Sequence, residues 1–466
     1  TIIQSEQKRL NAEMLQVTGG VVGSCNEVQM LGKWIAAQGV EMDGLAKADV
    51  LEALAEADEE DASWGVPMPP QVRRALELRQ EAAKSSTAKL VTMREKASTD
   101  GRIRNLHQFH AASTGRWAGR GVQTQNLPRP RLGTTQDSID GMFSTLDNPE
   151  MFDLLYGPSM AAVSDCIRGM LIAGEGNELV ACDFSQVEAR ALPWLAGQDN
   201  VLEVFRTHGK IYEHAASGIY HVPMEEVNWF QRLVGKVSEL ALQYGGSVGA
   251  FQSMARNYNV KVSDAEAEEI KSNWRAANKK RVSYWYDLEA AALNAMESSG
   301  VYAVGPVGRQ VKFRRAGSFL WMLLPSNRAL CYPYPEIRTV TTPWGAEKEA
   351  LTFMTIVDMA TQKHKILDDP NSKGRWQRIS THGGPLAENA TQGFCRDLLA
   401  TAMIAIEAEG IGLVFHVHDE PVAEVKQFRA QYALERMVAI MSRTPEYAPG
   451  LPLAAEGWHG KRYRKN

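Results

Sequence analysis

The sequence predicts an α+β protein made of more than one subdomain, and three observations predict it. The chain has 466 residues, long for a single hydrophobic core, so two or three subdomains are expected. Apolar residues recur at helical spacing over residues 1–83 and again over 201–327. Short apolar runs also lead directly into aspartates, at 178–182 before Asp183 and at 414–417 before His418 and Asp419. That is the pattern of strands emerging from a core.

In chain order, helical periodicity is clear in NEVQMLGKWIAAQGV (26–40) and LAKADVLEALAEAD (45–58). The segment WGVPMPP (64–70) reads as a turn or linker before a further helix, QVRRALELRQEAAKSS. Residues 101–194 mix short apolar runs with turns, as expected of a sheet backed by helices. Residues 201–327 read as helix followed by β-like pieces in VYAVGPVGRQVKFRR. The stretch 329–378 is aromatic and proline-bearing and reads as irregular. From Ile379 a helix through ENATQGFCRDLLATAMIAIEAEG leads to a strand expected to carry His418, Asp419 and Glu420.

Composition narrows the function classes. A hydrophobic fraction of 44% and a charged fraction of 23% fit a soluble globular protein. No run approaches the roughly 20 apolar residues of a membrane span, and no signal-peptide pattern opens the chain. A cytoplasmic location is expected. The first residue is Thr1, so an excerpt or processed product is expected. Five cysteines without a C-x-x-C pair argue against structural zinc and for reduced thiols. The net charge of -4 is segregated: acids crowd residues 52–61, whereas Lys89, Arg94, Arg102, Arg104, Arg116 and Arg120 lie in a basic stretch from Lys84 to Arg131. Its interleaved Gln, Asn, Thr and Gly suit contacts to phosphate and sugar.

Two acidic motifs carry the chemistry, DFSQVEAR at 183–190 and VFHVHDE at 414–420. A carboxylate at a strand end is costly to bury unless a cation holds it. Asp183 and Asp419 converging on one point would make a site for hard divalent cations, most naturally two magnesium ions, with manganese as a substitute. Paired magnesium ions suit in-line phosphoryl transfer. Between the motifs, Arg232, Lys236, Leu240 and Tyr244 recur at i, i+4 and form one helical stripe. Its cationic end could grip a polyphosphate and its aromatic end could stack a base.

These segments resemble the polymerase region of family A DNA polymerases, the DNA polymerase I group, and most of all its phage-encoded members. DFSQVEAR is similar to the family's first acidic motif, RLVGKVSELALQYGG to its fingers-helix motif and HVHDE to its second acidic motif. STGRWAGRGVQTQNLPRP (113–130) resembles the primer-template segment, and ENATQGFCRDLLATAM (388–403) is a fifth match in the family's order. The resemblance implies a right-hand architecture with an antiparallel-sheet palm and helical fingers and thumb. It places the thumb and lead-in helices at 1–100, the palm at 101–200 and 379–466, the fingers at 201–328 and a hairpin-type insertion at 329–378. It leaves no room for a proofreading exonuclease domain, so either the protein lacks proofreading or the chain is a polymerase fragment, and the fragment is expected.

The resemblance also implies residue roles. Asp183, Asp419 and the carbonyl of Phe184 would hold the metals. Lys236 and Arg232 would hold the triphosphate, with Gln186, Leu240 and Tyr212 near the nucleotide and Tyr244 beside the templating base. Glu188 would exclude a ribose 2′-hydroxyl, held by a neighbour such as Tyr212 or Tyr244; the alternative is simple pairing with Arg190 or Arg232. Arg116 would check the minor groove at the primer end. Gln392 and His418 would add contacts there, and Gln125, Asn126 and Lys89 would touch DNA. Leu240 departs from the aromatic ring of the bacterial members, and residues 384–388 lack their arginine and asparagine. The expected partners are primer-template DNA and deoxynucleoside triphosphates, with the protein a monomer that accessory replication proteins could join. The expected activity is DNA polymerisation by two-metal nucleotidyl transfer. The rivals are a single-subunit RNA polymerase, a catalytically silent DNA-binding subunit and a metal-dependent nuclease.

Overall fold

The computed structural model describes residues 2–42, 44–57, 68–82, 87–130, 136–342, 345–356 and 376–464. Its internal contacts divide the chain into two compact units. One comprises Thr1–Leu106, Gly119–Leu179 and His459–Asn466; the other comprises His107–Ala118 and Val180–Trp458.

The first unit is helical. Its helices are α1 (Ile2–Val17), α2 (Val28–Ala37), α3 (Lys47–Glu56), α4 (Pro70–Ala82), α5 (Ala88–Lys96), α6 (Gln136–Ser144), α7 (Pro149–Tyr156) and α8 (Ser159–Cys166). The periodicity read from the sequence becomes the core: Leu10 and Met14, Leu31 and Ile35, and Val72 and Leu76 are i, i+4 pairs buried in one cluster. Pro70 opens α4 where a proline lacks nothing, since the first turn has no intrahelical use for its N–H. Most of the expected linker at 64–70, the acids Asp58 to Asp61, and Lys84 and Arg131 of the basic stretch lie outside the described residues.

The chain enters the second unit in β1 (His107–Gln108) and leaves it in β2 (Ala118–Gly119). It returns along β3 (Asn177–Phe184) and runs through α9 (Val187–Ala196), α10 (Asp199–Thr207), α11 (Ile211–Tyr220), α12 (Trp229–Leu242), α13 (Val248–Asn257), α14 (Asp264–Ala277) and α15 (Lys279–Glu297). Strands β4 (Tyr302–Val304), β5 (Val311–Ala316), β6 (Phe319–Leu323) and β7 (Ala329–Pro333) form an antiparallel meander. Then β8 (Glu336–Thr341), β9 (Glu347–Ile356) and β10 (Trp376–Thr381) make a second antiparallel sheet in the order β10-β9-β8. After α16 (Gly383–Ala408) come β11 (Leu413–Val417), β12 (Glu420–Lys426), α17 (Ala430–Ser442) and β13 (Ala455–Gly460), and the third sheet has the order β11-β12-β3-β13.

The expectation of irregular structure over 329–378 does not hold for its described part, which is regular antiparallel strand. In β7 buried Leu330 and Tyr332 alternate with half-buried neighbours, whereas β9 buries Ala350, Leu351 and Thr352 in succession, so no single period marks this segment in the sequence. The helical part of this unit is held by a buried charge network. Arg281 on α15, 1% exposed, donates to both oxygens of Glu239 on α12 at 2.7 and 3.0 Å. Trp274 of α14 donates its indole N–H to the same carboxylate at 2.9 Å. Gly235 lets α12 lie against α11, because a Cβ there would stand 2.2 Å from the Tyr212 carbonyl oxygen.

Candidate active site

Buried Val180, Ala181 and Cys182 anchor β3 in the core, and the strand ends on half-buried Asp183 and buried Phe184. The neighbouring strand, β12, opens with buried Glu420. His418 and Asp419 are not on a strand, as the sequence suggested, but form the tight turn from β11 to β12, where His418 has φ +55°. The pleat therefore does not decide where Asp419 points; the turn does. Burial, and then Asp183 and Glu420, push the Cys182 thiol up to about 12, and β12, which the turn opens, is the neighbour of β3 in the sheet.

This donor set fits magnesium. Among the described residues no group of three or more His, Cys, Asp or Glu is gathered into a cage. Magnesium asks for no such cage, since it binds through one or two carboxylates and leaves its other positions to water and phosphate oxygens. Asp183 and Asp419 supply hard oxygens, and the Phe184 carbonyl belongs to the same strand end.

Glu188 sits in the first turn of α9. One oxygen accepts from the Arg116 guanidinium at 2.5 Å and the other from the Tyr244 hydroxyl at 2.8 Å. The expected tyrosine partner is found, while the arginine is Arg116 and neither Arg190 nor Arg232. Arg190 is buried and donates to the carbonyls of Ser185 and Pro452, and Arg232 pairs with Glu213 at 2.9 Å. Burial opposes the Arg116 charge, and Glu188 outweighs it by charge and hydrogen bond, so the guanidinium holds its proton more tightly. Burial and Glu188 together push the Tyr244 hydroxyl well up. Half-buried Glu388 on α16 is raised by burial and then by Glu188, and accepts from Gln392 at 2.9 Å.

Arg116 is presented by a clamped loop. Arg328 donates to the Thr114 carbonyl at 2.9 Å, and Arg396 donates to the Gly115 carbonyl at 3.0 Å. Both arginines converge on Asp397, 6% exposed, at 2.5 and 3.3 Å. Gly115 is required here: its φ is +82°, and a Cβ would stand 2.4 Å from Arg328 Nη1. Sequence reasoning missed this trio. Arg396 and Asp397 stand inside a quoted motif, but nothing local in the sequence marks them as supports of a loop almost 300 residues away.

The predicted stripe is three-quarters helical. Arg232, Lys236 and Leu240 lie on α12, but the helix ends at Leu242 and Tyr244 occupies the turn beyond it. Gly245, with φ +80°, and Gly246 break the helix there. A Cβ on Gly246 would stand 2.0 Å from the Ala241 carbonyl oxygen. The Lys236 ammonium faces the rings of Tyr258 at 4.7 Å and Tyr212 at 5.9 Å. Aromatic faces attract a cation without neutralising it, so Lys236 is held while its three donors stay available. Tyr212 also hydrogen-bonds Gln186, the residue just before α9. Leu240 is 39% exposed.

Lys89, Gln125 and Asn126 belong to the first unit. Lys89 donates to the Val122 carbonyl at 2.8 Å, and Asn126 donates to Gln123.

The family model described as DNA polymerase family A matches residues 4–311. The chain belongs to DNA polymerase family A. It is 37% identical over 468 residues to the DNA polymerase of Bacillus phage SP02, covering 99% of this chain and 66% of that protein. It is 34% identical over 153 residues to DNA polymerase I of Pseudomonas aeruginosa, covering 31% of this chain and 16% of the relative. In fold it matches the POL domain of Pol1 from M. smegmatis, solved in complex with DNA primer-template and dNTP. That match has a TM-score of 0.60 at 17% identity and covers 99% of this chain and 66% of the other. This family A chain therefore has the polymerase right-hand fold, and it spans about two-thirds of the length of the phage relative. No helix among the described residues is long and apolar enough to cross a membrane.

Proposed function

We propose that this chain catalyses template-directed addition of deoxynucleotides to a primer 3′-hydroxyl. The observation that carries the proposal is the grouping within one unit of Asp183 at the end of β3, Asp419 in the β11–β12 turn, the aromatic-held Lys236 and the Arg116–Glu188–Tyr244 chain. A nuclease needs only the carboxylates, and a silent binding subunit needs none of the three. The thumb, palm and fingers boundaries given above, and the primer-template and nucleotide partners, belong to this same reading.

Asp183, Asp419 and the Phe184 carbonyl would hold two magnesium ions. Bound there, they would supply the Lewis acidity that favours the ionised form of the primer 3′-hydroxyl and offsets the charge of the departing pyrophosphate. Lys236 donates to the triphosphate and stabilises charge as it develops, and its ammonium can supply a proton to the leaving group. Arg232 exchanges Glu213 for phosphate. Glu188 closes the space beside the sugar, held upright by Tyr244. Arg116, released from Glu188, reaches the minor-groove acceptors of the terminal pair, which are alike in all pairs and report shape. Gln392 and His418 line the primer side.

Asp183→Asn and Asp419→Asn each remove a charge while keeping shape. Primer extension is expected to fall by a factor of about 10³ or more, with duplex binding retained. Near-normal extension by either variant would overturn the assignment.

A further inference from the structure

The meander β4–β7 has two unlike faces. One face buries Val311, Phe313, Leu320 and Met322 in the core. The other should be polar, since an antiparallel sheet packed on one side shows water its other side. It is aromatic and basic instead. Phe319 and Trp321 stand on it, 37% and 36% exposed, with ring centroids 5.6 Å apart. Across the ladder, Arg314 is the register partner of Trp321, and Lys312 follows on the same face of β5. On the other flank β7 offers only short side chains, with Cys331 opposite Trp321, so the rings rise above their neighbours. Tyr334 adds a third ring, 6.4 Å from Phe319.

The rings are fixed in place. Gly317 and Ser318 join β5 to β6 in a two-residue hairpin with positive φ at the glycine, which pins the register. The cations differ from the others nearby. Arg309 pairs with Asp199, and Arg315 donates to the Met296 carbonyl. Among the described residues, Lys312 and Arg314 make no ion pair.

We propose that this face binds single-stranded DNA, with Trp321 and Phe319 stacking unpaired bases and Arg314 and Lys312 holding the adjoining phosphates. Stacking needs a base whose face is open, which a duplex does not offer, and it tolerates any sequence because every base has such a face. A cation directly across from a ring suits a ligand that alternates flat groups with negative charges. A protein partner would meet two uncompensated cations beside the apolar rings. The unpaired template is the natural strand for this platform; that part rests on the polymerase reading above, whereas the binding itself does not.

The test uses the full chain, a fluorescent 20-nucleotide oligo(dT) and no nucleotide. The double variant Phe319→Ala, Trp321→Ala is expected to bind it at least tenfold more weakly. Arg314→Ala should weaken binding and flatten its salt dependence. An oligonucleotide carrying bromodeoxyuridine should crosslink to the tryptic peptide 316–328. Extension of a primer-template with a one-nucleotide overhang should be unchanged in all variants, and extension on a long overhang should fall. Unchanged oligo(dT) affinity, or crosslinks only to other peptides, would overturn the platform and leave a protein as its occupant. If wild-type chain bound the oligonucleotide but extended no primer, the polymerase reading alone would fail.

Discussion

Glu188 illustrates how one side chain can hold two assignments at once. Its carboxylate is tied to Arg116 and Tyr244, and under the proposed function it is also a wall beside the nucleotide. The two roles separate by substitution. Glu188→Ala removes bulk and should raise ribonucleotide relative to deoxyribonucleotide efficiency by about tenfold or more. Glu188→Gln keeps the bulk and should leave that ratio nearly unchanged. Catalytic efficiencies for both nucleotides on one primed template decide it; an unchanged ratio in the alanine variant rejects the gate. A second prediction concerns His416, which is buried and stacked on His107 at 4.2 Å, with Trp117 edge-on. Burial, then His107, lowers its pKa from 6.5 to about 4. A depressed folded pKa means that the unfolded chain binds the proton first. The stability it contributes is therefore complete above about pH 6.5 and is lost as pH falls towards 4, on the order of 3 kcal/mol in all. Thermal unfolding across that window should show a steep acid decline, and His416→Phe should flatten it.

At the scale of elements, α12 carries a buried charge on one face and the residues proposed to meet the nucleotide on the other. Glu239 ties it to Arg281 of α15 and Trp274 of α14, while Arg232, Lys236 and Leu240 face away. Removing one partner strands the other in the core, so Arg281→Met should cost about 3–5 kcal/mol. Replacing both, with Glu239→Leu added, should recover much of that loss. Chemical denaturation of the three variants measures this, and a double variant no better than the single one would show that the pair is not the connection. This network was not legible in the sequence. Glu239 stands between Lys236 and Leu240 in the quoted helix motif, yet only packing shows that it faces the interior. The strand pattern was partly legible: β3 was readable from its apolar run, whereas β7 was hidden by Tyr332 and Pro333 at its end, and β8 and β9 because their burial does not follow a period of two.

At the scale of the whole molecule, metal dependence separates chemistry from binding. Chelation of divalent metal should abolish extension while leaving duplex affinity largely intact, and readdition of magnesium should restore extension. A binding assay run beside the extension assay checks this; equal loss of both would give the metals a structural role. The sequence by itself determined the family and the order of its motifs, because each motif is a short local pattern with a local chemical reason. It also determined the helices α1 to α4, whose apolar residues keep one period, but not α6 to α8, which lie in a stretch read as part of a sheet backed by helices. Only the tertiary structure decided that Asp419 sits in a turn, that Tyr244 lies beyond its helix and that Arg116 is the partner of Glu188. It alone showed Asp397 gathering Arg328 and Arg396 beneath the Arg116 loop, and the aromatic face of the meander. These depend on contacts such as Arg116 to Glu188, 72 residues apart in the chain. Partner choice across such distances is set by how whole elements pack, and no periodicity or spacing in the sequence encodes it.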